Sequence, residues 1–195
     1  VEGPRMTTNP SPLAPSALRR GIDALAVVSL LAAVALIHGP VFGGTTGYVA
    51  ALGGLVVGVL VAALTAALRV RTIGSTLALA AAYLLAGGPL ALPTTTAYHV
   101  LPTQRTIQML VVGTITSWKD LLTVQPPAGI FVGPAIMPFL SALVTSFIAL
   151  TIVLRTKRPA WALAPVGILG LLGIIWSSHQ AVSYTHLRAH ETGRN

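Results

Sequence analysis

Five long apolar runs organise this chain: Ala24–Phe42, Tyr48–Leu68, Ile73–Leu92, Pro134–Leu154 and Ala160–Trp176. None holds an Asp, Glu, Lys or Arg. At a rise of about 1.5 Å per residue, roughly 20 residues cross a hydrocarbon core of about 30 Å. Backbone in lipid must satisfy its own hydrogen bonds, and runs this long do so as α-helices. The strict alternation of barrel strands is absent. The pattern predicts an all-α polytopic transmembrane helix bundle of about five spans.

Between the third and fourth runs the pattern changes. Within Pro93–Gly133, Ile107, Leu110, Val111, Ile115, Trp118 and Leu122 recur at helical spacing, while Arg105, Gln108, Thr116, Lys119 and Asp120 take the other side. Thr103 is a suitable N-cap, and Pro126-Pro127 ends the pattern. The spacing predicts an amphipathic helix lying in the interface with Trp118 at headgroup depth, or one packed into a vestibule on that side. Small residues form two further stripes, Gly54, Gly58, Ala62 and Ala66 in the second run and Ala78, Ala82 and Ala86 in the third. Such stripes let helix backbones approach closely in lipid.

The ends read differently. Residues 1–18 are polar and proline-rich, as in a disordered tail, and Val1 and Met6 are both candidate starts. Residues 19–181 form the transmembrane domain. From about Val182 the chain turns abruptly polar, and Ser183 to Asn195 resemble translated sequencing-adapter DNA rather than evolved protein.

Composition agrees with lipid as the solvent. The 195 residues are 54% apolar and 8% charged, against roughly 25% charged in soluble domains. The mean hydropathy is +0.81. The net charge of +8 would suit nucleic acid, but the charges sit in short groups between the runs, so no nucleic-acid partner is expected. With the last 13 residues set aside, Arg5, Arg19, Arg20, Arg69, Arg71, Arg155, Lys157 and Arg158 fall on one side of the bundle, and only Arg105 and Lys119 on the other. Cytoplasmic loops are the positive ones, which puts the N-terminus inside the cell.

Candidate chemistry is sparse. There is no Cys, hence no thiolate nucleophile or zinc-thiolate site. His38 is the one histidine in a run, next to Gly39-Pro40, and reads as an interfacial histidine more readily than as a proton relay. His99 has no neighbouring ligand. His186 and His190 have metal-pair spacing but lie in the adapter-like tail. Gly43-Gly44-Thr45-Thr46-Gly47 lacks the lysine of a phosphate loop and reads as a turn. Gly87-Gly88-Pro89 reads as a kink or end of the third helix. No catalytic residue, cofactor or metal is expected. The expected partner is the lipid bilayer, and homo-oligomerisation is left open.

The stretch from Thr114 to Gly129, with Ser117-Trp118-Lys119-Asp120-Leu121-Leu122-Thr123 at its centre and Leu101-Pro102-Thr103 before it, resembles the N-terminal membrane domain of bacterial transglutaminase-like membrane proteins of the TgpA type. The resemblance covers roughly Arg19 to Ala181. It implies a bacterial inner-membrane anchor whose papain-like catalytic domain, carrying Cys, His and Asp, follows outside the cytoplasm. The missing C-terminal part would then be a partner, and this chain would have no activity of its own. Trp118, Lys119 and Asp120 become candidate contacts to that domain or to the membrane surface. The alternatives are a small permease or transporter subunit, or a structural integral membrane protein.

Overall fold

The computed structural model describes residues 17–42, 44–98, 100–123, 133 and 135–176, with residues 118–123 described by their backbone alone. The helices are α1 (Ala17–Ala35), α2 (His38–Val41), α3 (Thr45–Ala67), α4 (Thr72–Ala91), α5 (Gln104–Thr123), α6 (Ile136–Arg155) and α7 (163–176). A 3-10 turn at Pro159–Ala162 leads into α7. Five segments are long and apolar enough to cross a membrane: Ala17–Val41, Thr45–Ala67, Thr72–Ala91, Ile136–Arg155 and Pro159–Trp176. They match the five apolar runs.

The first span differs in two ways. It begins at Ala17 rather than Ala24, so Arg19, Arg20 and Asp23 lie in its opening turns. Charged groups there reach water past the end of the hydrocarbon, which is why helix outruns the apolar run. It also breaks before His38. Pro40 has no N–H for the Leu36 carbonyl, which instead accepts from Gly39 N at 3.3 Å. The turn into α3 uses Gly44, at φ +72°.

α6 is the centre of the bundle. Burial covers 67% of its spanning window, against 17–39% for the other four spans. It runs parallel to α3, and the small stripe on α3 makes that seam. A Cβ on Gly54 would collide with the Phe139 carbonyl, and one on Gly58 with the Leu143 carbonyl and Ser146 Oγ. Ala62 continues the seam against Phe147 and Leu150, while Ala66 is half-buried. The Ala78, Ala82 and Ala86 stripe on α4 is only half-buried and makes no comparable seam. On the other flank of α6, α1 and α7 pack through Val27, Leu31, Ala35, Val166 and Leu169.

Three buried hydroxyls are satisfied within their own helices. Thr65 donates to the Val61 carbonyl at 2.8 Å, Thr145 to Ser141 at 2.6 Å and Ser146 to Leu143 at 3.1 Å. That is the economical solution where water is absent. α3 ends in a Schellman turn, with Val70 N on the Thr65 carbonyl and Arg69 N on that of Ala66. Arg69 holds φ +52° there. At the same end Arg155 Nη2 donates to Ser75 Oγ at 3.0 Å, tying α6 to α4. The bundle surface carries exposed Leu25, Leu60, Leu64, Leu77, Leu171 and Ile174, as a lipid-facing wall requires.

Candidate functional site

The part of the molecule richest in specific polar contacts is the junction of α4, α5 and α6. α4 does not stop at Gly87-Gly88-Pro89; it continues to Ala91, and Leu92 N bonds the Gly88 carbonyl at 2.8 Å. The two glycines serve packing. A Cβ on Gly87 would stand 2.9 Å from Leu110 Cδ2, and one on Gly88 3.0 Å from Thr106 Cγ2. Their bare backbone lets α5 lie close against α4.

A threonine cluster starts α5. Thr103 Oγ1 accepts from Thr106 N at 3.2 Å, and Thr106 Oγ1 accepts from Thr103 N at 3.2 Å. This is a reciprocal capping box with threonine in place of the usual Glu or Gln, and the N-cap is the residue expected from sequence. Both hydroxyls also reach the Thr95 carbonyl, at 2.9 and 2.7 Å. The cap is thereby fastened to the turn that follows α4.

Further along, Tyr83 Oη donates to the Leu110 carbonyl at 3.0 Å and lies 2.8 Å from Thr114 Oγ1. Tyr83 precedes the end of α4 by eight residues, about 12 Å along the axis. α5 is therefore set into the flank of the bundle and does not rest on top of it.

α5 has three faces, where the sequence suggested two. Thr106, Leu110, Gly113 and Ser117 are buried against α4 and α6. Ile107, Val111 and Ile115, read as the apolar face, point outward, Ile115 being 78% exposed. Arg105, Gln108, Val112 and Thr116 occupy the third face, all exposed. Sequence reasoning missed the buried face because its threonine, glycine and serine do not read as core. Their 4-3-4 spacing was the available signal.

Between the third face and the start of α6 lies a cavity of about 270 Å³, lined by Gln108, Met109, Val112, Gly113, Thr116, Ser117, Gly133 and Ile136. Two glycines line it. A Cβ on Gly113 would run into Ile136 Cδ1, and Gly133 holds φ +133°. Ser117 Oγ donates to the Gly133 carbonyl at 3.3 Å, and Thr116 Oγ1 to that of Val112 at 3.1 Å. Both hydroxyl oxygens keep lone pairs for a further donor.

The candidate residues Trp118, Lys119 and Asp120 fall in the last turns of α5. By register, position 118 continues the Val111–Ile115 face and position 119 the Gln108–Val112 face. Their side chains lie outside the described residues, as do His99, Gly43, Pro126, Pro127, His186, His190 and residues 1–16 and 177–195; residues 17 and 18, read as part of the tail, belong to α1. His38 is not at an exposed interface. It is fully buried, with its ring centroid 5.6 Å from Trp176 and 6.5 Å from Phe42. Neither ring nitrogen has a hydrogen-bond partner among the described residues. There is no group of three His, Cys, Asp or Glu able to hold a metal among the described residues.

This architecture is that of an all-α, multi-pass membrane protein. No family model, no curated protein and no solved structure matches the chain.

Proposed function

We propose that this chain is the membrane-anchoring domain of a transglutaminase-like membrane protein, lying in the bacterial inner membrane with its N-terminus in the cytoplasm and positioning an extracytoplasmic catalytic domain. The observation that carries the reading is the clamping of α5. The helix bearing the Ser117–Thr123 motif is fixed to α4 by Tyr83 and the threonine cap, and to the start of α6 through Ser117. A helix fixed in the flank of a bundle suits a rigid support for an attached domain. The described spans hold no acid or base within the bundle core except His38, which supports an anchor over an ion-coupled carrier. Arg69, Arg71, Arg155, Lys157 and Arg158 at one end support the orientation.

Two measurements test this. Reporter domains fused after Arg71 and after Thr123 should report opposite compartments; agreement between them sinks the topology. In the longer parent protein, Trp118→Ala with Lys119→Ala should weaken the activity or stability of the attached domain. A parent with no Cys, His and Asp domain beyond α7 would remove the anchor reading.

A further inference from the structure

The cavity under α5 has the form of a headgroup site. Its lining combines an amide, two hydroxyls and the Met109, Val112 and Ile136 side chains around about 270 Å³ of space. That is room for a small polar group, too little for a helix. It opens on the face of α5 that bears Arg105, one turn before Gln108. On the neighbouring face Ile107, Val111 and Ile115 are exposed, a track for hydrocarbon. We propose that this cleft seats the headgroup of an anionic, hydroxyl-bearing phospholipid, of phosphoglycerol type, with its acyl chains lying along the Ile107–Ile115 track.

The chemistry divides among named groups. Thr116 and Ser117 have already spent their protons on backbone carbonyls, so their free lone pairs select a headgroup that donates hydroxyl protons. The Gln108 amide can donate to an ester or phosphate oxygen. Arg105 supplies the charge that favours an anion. Lys119 and Asp120 come in the following turn and offset each other formally. A choline headgroup has no hydroxyl donor and carries its own cation, so it fits neither feature. The inference needs only the membrane placement, not the attached catalytic domain.

The test uses the full chain purified in detergent and examined by native mass spectrometry with added phosphatidylglycerol, phosphatidylcholine or soluble glycerol 3-phosphate. The wild type should retain phosphatidylglycerol at least threefold better than phosphatidylcholine. Arg105→Gln should bring that ratio near one, and Gln108→Leu with Thr116→Val should cut retention several-fold. These three positions are exposed, and circular dichroism of each variant checks that the fold is kept. Equal retention of both lipids by the wild type, or full retention by the double variant, overturns the proposal. Displacement of the lipid by glycerol 3-phosphate would overturn it in favour of a soluble phosphate ester. Loss of the reporter-defined topology would instead undo the anchoring proposal.

Discussion

The α3–α6 seam permits a sharp test at one glycine. At Gly58 a Cβ would meet the Leu143 carbonyl and Ser146 Oγ. At Gly167 on α7 it would meet nothing within 4 Å. Helix propensity favours Ala over Gly by about 1 kcal/mol at either site. Gly167→Ala should therefore raise stability by up to ~1 kcal/mol. At Gly58 the obstruction includes backbone, which cannot rotate away, and overpacking of that kind costs about 1–3 kcal/mol. Gly58→Ala should thus fall about 1–3 kcal/mol below Gly167→Ala, because the propensity gain is common to both and cancels. Unfolding in mixed micelles, followed by circular dichroism or steric trapping, measures the difference. Adding Ser146→Ala should relieve part of the loss, because it removes the hydroxyl obstacle but leaves the carbonyl. A difference below about 0.5 kcal/mol would refute close α3–α6 contact as the organising seam.

Three further outcomes are expected. Thr103→Ala removes the N-cap and one member of the threonine cluster; it should cost about 1 kcal/mol and speed hydrogen exchange in the first turn of α5, where unchanged protection would count against the capping box. Tyr83→Phe deletes the hydroxyl that ties α4 to α5, a loss of about 0.6–1.7 kcal/mol, and exchange should accelerate near Leu110 and Thr114 more than in α3. His38→Leu exchanges a buried imidazole with two unpartnered nitrogens for an apolar group, so thermal unfolding in detergent should occur at the same or a higher temperature; a drop equivalent to ~2 kcal/mol would mean that the ring has a partner in the membrane-embedded protein.

The chain's own pattern determined its solvent and its spans. Charge-free runs of membrane length have one physical outcome, so five helices and their limits were legible to within a few residues, apart from the charged opening of α1. The cap at Thr103 and the helix over Gln104–Thr123 were legible for a local reason, since capping and periodicity are properties of neighbours in sequence. Tertiary structure decided which faces turn inward. In a water-soluble protein apolar residues mark the core, but in lipid both the surface and the interior are apolar, and hydrophobicity no longer separates them. Ile107, Val111 and Ile115 could thus face outward while Thr106, Gly113 and Ser117 packed inside. The same reason hid the centrality of α6, the burial of His38 between Phe42 and Trp176, and the cavity beneath α5. Each depends on close approach between helices far apart in the chain, which is governed by small residues and shape rather than by the hydrophobic pattern.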